Sequence, residues 1–218
     1  MEQSVRCSVC SDQVKPIVAL DIDGTLGEYH GQFVKFATMY FDTSFPPAYG
    51  FDGSMELHEY LGLELTEYRR AKLAYRQGGF QRWMPMRPGA DWLVNHLRDE
   101  GFEIWVTTTR PYERYDGTDP DTREWLSRNS IPWDNLLYSE DKYEVLHKRV
   151  DPSRVKLILD DLPKNIVAAQ EHWPSRILCL LDRPHNTKDP LLDRVNGWMA
   201  HSLEGVAQMP SLKMEFAA

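Results

Sequence analysis

The stretch Ile17-Val18-Ala19-Leu20-Asp21-Ile22-Asp23-Gly24-Thr25 decides how the rest of the chain is read. Its apolar run has the length of a buried parallel strand. Two acids two residues apart at the end of that strand share one side of the pleat until the chain turns at the glycine. In an open α/β sheet this end of the strand is where ligands bind. Acids often cap turns, so the pair alone says little. Three further apolar runs follow: Phe102-Glu103-Ile104-Trp105-Val106, Val155-Lys156-Leu157-Ile158-Leu159 and Ile177-Leu178-Cys179-Leu180-Leu181. The first leads into Thr107-Thr108-Thr109-Arg110 and the second into Asp160-Asp161. Three strand ends thus bring two acid pairs and a hydroxyl cluster to one crevice.

Helical patterns alternate with these runs. Ala90, Leu93, Val94 and Leu97 share a face, and Gly101 stands where a helix would be capped. Trp125 and Leu126 mark a second helix, and Ile166, Val167 and Ala169 a third. Strand and helix in alternation predict an α/β fold, a Rossmann-like doubly wound parallel sheet. The interval from Gly27 to Met86 breaks the rhythm with an aromatic-rich helical pattern: Phe33, Phe36, Tyr40, Tyr60, Tyr68, Tyr75. It reads as a helical cap inserted after the first strand and left near Gln77-Gly78-Gly79. The expected layout is a discontinuous core over 14–27 and 86–204, a cap over 28–85, and a weakly patterned, partly disordered tail over 205–218.

Composition bounds the partners. Of 218 residues, 42% are hydrophobic and 27% charged, which is ordinary globular usage. No apolar run approaches the ~20 residues that cross a bilayer, and the first residues lack a secretory apolar stretch, so a soluble cytoplasmic protein is expected. Lys plus Arg number 25 against 33 Asp plus Glu, a net charge of -8 that argues against long nucleic acid and anionic membrane. Three cysteines exclude a dense disulfide framework. Cys7 and Cys10 form one CxxC without the second pair that a zinc site of about four ligands needs. Cys179 reads as a buried strand residue.

The DxDGT, TTTR and DD motifs in this order, each after an apolar strand, resemble the haloacid-dehalogenase-like phosphohydrolases from about Val18 to Leu162. Within them the chain looks most like the 5'(3')-deoxyribonucleotidases and their phage or bacterial relatives. That finer likeness rests on Asp21-Ile-Asp-Gly-Thr-Leu-Gly-Glu-Tyr, Met86-Arg-Pro-Gly-Ala, Ser139-Glu-Asp-Lys, Leu157-Ile-Leu-Asp-Asp-Leu-Pro, Arg183-Pro-His-Asn and Arg194-Val-Asn-Gly-Trp198.

The resemblance implies that Asp21 is a nucleophile attacking phosphorus and Asp23 an acid and base that also offers its backbone carbonyl to a metal. Thr108 would donate its hydroxyl to the phosphoryl group, with Thr107 as rival register, and Lys142 would hold phosphate and Asp21 together. Lys156 and Lys164 fit less well by register. Four acids around one phosphate repel each other and it, and a hard divalent cation, Mg²⁺, answers both problems. Its expected ligands are Asp21, Asp23 and Asp160, with Asp161 as competitor or orienting neighbour, and either of the pair is equally suited to capping the helix at Pro163. On the substrate side Tyr29 is placed to stack on a nucleobase or to pack at the cap junction, and Phe51 to close over the base. Phe51-Asp52-Gly53 departs from the aromatic pair of the family. Thr109 and Arg110 would meet the phosphate or sugar, Arg110 otherwise forming a surface ion pair, and the histidines, His30 and His185 included, carry no assigned chemistry.

The expected activity is Mg²⁺-dependent hydrolysis of deoxyribonucleoside monophosphates, a small-molecule phosphomonoester being the partner and a homodimer left open. A phosphatase for nucleic-acid 3'-ends or sugar phosphates is the alternative, and a non-catalytic binding module the third reading.

Overall fold

β1 (Ile17–Leu20) is buried at all four positions, as a strand covered on both faces must be. β2 (Glu103–Thr108) and β4 (Val155–Asp160) flank it. β3 (Asn135–Tyr138) lies outside β2, while β5 (Leu178–Leu181) and β6 (Trp198–Ala200) extend the other side. The sheet order is β3-β2-β1-β4-β5-β6 and every neighbouring pair is parallel. The computed structural model describes residues 14–213, so Cys7 and Cys10 lie outside it.

Chain order reverses direction between β1 and β4, and ligand crevices of doubly wound sheets open at such a point. Register makes the crevice acidic. Leu20 pairs with Val106 and with Leu159, and the Asp21 N–H donates to the Leu159 carbonyl at 3.0 Å. Asp21 therefore emerges one residue beyond the paired strands, beside the end of β4.

Two strands escape a reading of apolar runs. Only Leu137 of β3 is buried, and Trp198 and Met199 of β6 are exposed. Both are edge strands, and too little of either is covered to demand a continuous apolar segment.

Helices cover both faces. On one, α4 (Ala90–Asp99) buries Ala90, Leu93, Val94 and Leu97, and α5 (Thr118–Arg128) buries Trp125 and Leu126, against Val18, Leu20, Val106 and Leu159. The turn after α4 needs the left-handed conformation of Gly101, φ 88°, which a side chain would strain. On the other face α6 (Lys142–Arg149) and α7 (Pro163–Ala169) pack Tyr143, Leu146, Ile166 and Ala169 onto Ile17, Ala19 and Ile158.

α1 (Tyr29–Phe41), α2 (Leu57–Tyr60) and α3 (Leu65–Gln77) gather a third apolar cluster around Phe33, Phe36, Leu57, Leu61, Ala71 and Tyr75. The chain enters and leaves this segment at one neck, where Gly27 bridges Met86, the Glu28 N–H meets the Pro85 carbonyl and the Arg87 N–H meets that of Leu26.

The segment after Leu203 is not a loose tail as far as Lys213. Leu203, Val206, Met209 and Leu212 are buried against the α4 face, Leu203 and Val206 from the short α8 (Leu203–Val206). Their spacing of three suits one helical turn followed by a 3₁₀ turn over Pro210–Leu212, a pattern that neither helix nor strand periodicity picks out. The core therefore extends beyond residue 204. Among the described residues, no helix is long and apolar enough to cross a membrane.

Candidate active site

Three carboxylates meet at the ends of β1 and β4. Single oxygens of Asp21, Asp160 and Asp161 lie within 4.8 Å of one another, and all three residues are buried. The first residue of α6 answers them: Lys142 Nζ stands 2.5 Å from Asp21 Oδ1 and 2.7 Å from Asp160 Oδ2. Burial disfavours the ammonium, but Asp160 and Asp21 outweigh it and raise the Lys142 pKa. One lysine does not balance three acids. Burial, then repulsion from Asp160 and Asp161, drives Asp21 well above the usual carboxylate range despite Lys142. Asp161 is pushed up to about 7 by burial and by Asp160.

The acids differ in what already binds them. Asp160 Oδ1 accepts from the Leu162 N–H at 2.9 Å and from Asn165 Nδ2 at 3.1 Å. Its Oδ2 takes the Tyr143 hydroxyl at 2.7 Å, Asn165 again, and Lys142. Those donors fill its lone pairs. Asp161 has Thr25 Oγ1 on Oδ1 at 2.9 Å and His185 Nε2 on Oδ2 at 2.5 Å, which leaves acceptor capacity on each oxygen. The backbone at Gly24, φ 105°, runs so close to this carboxylate that a Cβ there would collide with it. These are features of a hard-cation site: oxygen donors only, excess negative charge, and a cradle without side-chain bulk. Mg²⁺ fits it.

Electrostatics supplies a test. With both values raised, Asp21 and Asp161 release their protons at higher pH in the folded protein than in the unfolded chain, where a carboxyl titrates at about 3.9. Without a cation this contribution stabilises at low pH and is lost as pH rises towards the Asp161 value of about 7. A divalent cation competes with those protons. Saturating Mg²⁺ should raise Tm by roughly 5–10 °C at pH 8 and clearly less at pH 5.5, as read by calorimetry. Equal shifts at both pH values would contradict the site.

Asp23 sits apart from the trio. Arg110 grips it, Nε to Oδ2 at 2.8 Å and Nη2 to Oδ1 at 2.5 Å, while Nη1 donates to Thr122 Oγ1 at 2.9 Å. Burial raises the Asp23 pKa, but the guanidinium outweighs it and the net shift is downward. Arg110 is thus no surface ion pair; it is 3% exposed and locked to an acid of the site. Thr108 is buried, and its Oγ1 accepts from the Arg110 N–H at 3.3 Å, which leaves the hydroxyl hydrogen free. Thr107 hangs on the opposite side of β2 with a buried, unpartnered hydroxyl, and its carbonyl accepts from Lys142 at 3.4 Å. Thr109 is exposed at the strand end and lines the cavity.

That cavity, about 560 Å³, has Asp21, Asp23, Thr109 and Arg110 on its floor and the cap above. Tyr29, His30, Phe51 and Tyr68 form part of its wall. Tyr29 packs at the cap junction, stacked on Phe33 and edge-on to Tyr75, yet its buried hydroxyl has no partner. Phe51 is buried against His30 and Tyr60.

Several residues here have no role assigned from the sequence. Tyr143 and Asn165 hold Asp160, Thr25 and His185 hold Asp161, and Thr122 holds Arg110. His185 stacks on His30 with ring centroids 4.1 Å apart. Burial lowers both, His185 to about 3, so the neutral ring orients Asp161 without adding charge. Of this group, Thr25 closes the DxDGT motif and His185 lies in Arg183-Pro-His-Asn, while Tyr143, Asn165 and Thr122 come from helices brought together by folding.

A family model described as "5' nucleotidase, deoxy (Pyrimidine), cytosolic type C protein" matches residues 15–208. A "Putative 5'(3')-deoxyribonucleotidase" of Chlorobaculum tepidum is 23% identical over 161 residues, 69% of this chain and 71% of that protein. Among solved structures, a HAD family hydrolase from Deinococcus radiodurans with bound phosphate and sodium aligns with TM-score 0.62 at 15% identity, over 91% of this chain and 98% of that one. A "predicted phosphoglycolate phosphatase" from Haemophilus somnus aligns with TM-score 0.60 at 16% identity, over 88% and 96%. The two structures share the fold. With the family model spanning nearly all described residues, the chain belongs to the 5' nucleotidase, deoxy (Pyrimidine), cytosolic type C family within the haloacid-dehalogenase-like phosphohydrolases, and is a phosphoric monoester hydrolase of the nucleotidase type.

Proposed function

We propose that this protein is a Mg²⁺-dependent, cytoplasmic phosphatase of deoxyribonucleoside monophosphates that works through an aspartyl-phosphate on Asp21. The observation that carries this reading is the buried Asp21–Lys142–Asp160–Asp161 cluster next to a cavity whose far wall is aromatic. A volume of about 560 Å³ suits one nucleotide, and aromatic rings suit a base more than a polyol.

Asp21 and Asp161, with the Asp23 carbonyl, would hold the cation, and Asp160, saturated by its own donors, would fix Lys142 and the end of β4. Bound Mg²⁺ withdraws charge from the phosphoryl oxygens. Lys142 holds the Asp21 carboxylate, and Thr108 offers its free hydroxyl hydrogen to a phosphoryl oxygen. The Asp21 oxygen bonds to phosphorus in line as the bond to the nucleoside oxygen breaks. Asp23 gives that oxygen a proton. Arg110 keeps Asp23 ionised in the free protein; the arriving phosphate dianion offsets the guanidinium, so Asp23 takes up a proton from solvent as substrate binds and returns one to solvent at the end of the cycle. In the second half Asp23 takes a proton from water, the water oxygen bonds to phosphorus, and phosphate leaves Asp21.

Release of phosphate from dTMP, from a 3'-phosphorylated oligonucleotide and from p-nitrophenyl phosphate, with Mg²⁺ and with EDTA, tests the assignment. dTMP is expected to give the highest kcat/KM, with EDTA removing the activity. A preference for the oligonucleotide, or full activity in EDTA, would overturn it.

A further inference from the structure

Three cations reach the same cavity and none is spent. Lys72 and Arg76 come from α3 of the cap, and Lys164 from the start of α7. Lys72 Nζ rests 5.4 Å from the Tyr68 ring and 6.0 Å from that of Tyr29, and the Arg76 guanidinium lies 5.9 Å from Tyr115. Among the described residues, no ion pair joins any of the three to a carboxylate.

The acids that line the cavity besides Asp21 and Asp23 already have hydrogen-bond partners. Glu56 and Glu59 close a reciprocal capping box on α2, and Asp189 Oδ1 accepts from the Leu191 N–H at 2.8 Å. Burial and the neighbouring cations bring Lys72 down to about 8, a cost that persists until an anion arrives. In a chain of net charge -8, unpaired cations gathered in one cavity call for a counter-charge.

Their position says which part of the ligand carries it. Arg76 and Lys72 act electrostatically on Asp23, the acid facing the leaving group, whereas the charges acting most on Asp21 are those of Lys142, Asp160 and Asp161. The phosphoryl end has its own cation, and the cap cations lie towards the alcohol end.

We propose that Lys72, Arg76 and Lys164 form a second anion subsite, so that the preferred substrate is a nucleotide with a further phosphate on its leaving group, a deoxynucleoside 3',5'-bisphosphate. This rests on the nucleotidase reading and narrows it. The phosphate beside Asp21 is the one hydrolysed, and the other stays bound to the cap.

The test compares thymidine 3',5'-bisphosphate with dTMP in two ways. By kcat/KM with Mg²⁺, the bisphosphate is expected to exceed dTMP about 10-fold, and Lys72→Met or Arg76→Met to lower that ratio by about 10-fold, the scale of one charge-assisted contact. By calorimetric binding to the Asp21→Asn protein, the bisphosphate should bind about 10-fold more tightly, with the steeper salt dependence. Equal efficiencies and equal affinities for the two ligands overturn the subsite while leaving the nucleotidase intact. Tighter binding of the bisphosphate without hydrolysis of any ester supports the subsite and overturns the hydrolytic reading.

Discussion

Asp21→Asn is expected to lower kcat on any accepted phosphomonoester by roughly 10³-fold or more, while far-UV circular dichroism stays that of the parent protein. An amide oxygen is a poor nucleophile, so the step that forms the acyl phosphate is lost. The exchange is nearly isosteric, and it deletes an acid that burial and two neighbouring carboxylates drive towards protonation. Metal-free Tm at pH 8 should therefore hold or rise. An Asn variant with parental kcat would exclude Asp21 as the attacking group. A variant that fails to fold is not expected from a change that relieves charge repulsion.

Lys142→Met should produce the second large effect, and on stability as well as rate. The side chain is 1% exposed and stands between Asp21 and Asp160. Methionine fills much the same volume but leaves the buried acids without their cation. Breaking a buried pair in this way costs about 3–5 kcal/mol. The loss should be greatest near pH 8 and smaller near pH 5.5, because acidification protonates the raised carboxyls of Asp21 and Asp161 and removes the uncompensated charge. Denaturant unfolding at the two pH values reads this directly. At the same time kcat should fall by about 10²- to 10³-fold, the scale set by removing one preorganised charge from a developing anion. A pH-independent loss of stability would mean that Lys142 matters by packing alone.

Where the chain declares itself, it does so through continuous apolar runs. β1, β2, β4 and β5 are buried on both faces, and the first three read as strands ending in chemistry. β3 and β6 stay hidden because edge strands need cover on part of one face only. The same logic applies to the site. Asp21, Asp23, Thr108, Asp160 and Asp161 stand at strand ends, where position along the chain predicts position in space. Lys142 does not; its place depends on α6 beginning where it does, and family likeness rather than pattern singles it out. Tyr143, Asn165 and Thr122 belong to helices whose meeting point is set by packing, so no spacing announces them, and His185, though inside Arg183-Pro-His-Asn, shows its contact with Asp161 only in the fold. Arg110 shows the limit from the other side. Its sequence position is right, yet its grip on Asp23 is braced by Thr122 of α5, a contact that the sequence does not announce. Between the acid pair at 160–161, donor saturation is a property of three-dimensional neighbours that no pattern along the chain records.

Chemical trapping of the acyl phosphate tests the central claim most directly. Protein mixed with dTMP and Mg²⁺, quenched within milliseconds and reduced with tritiated borohydride, should yield tritiated homoserine at position 21 and nowhere else in the peptide map. Label at another aspartate, or parental turnover with none trapped at any time point, would contradict covalent catalysis by Asp21.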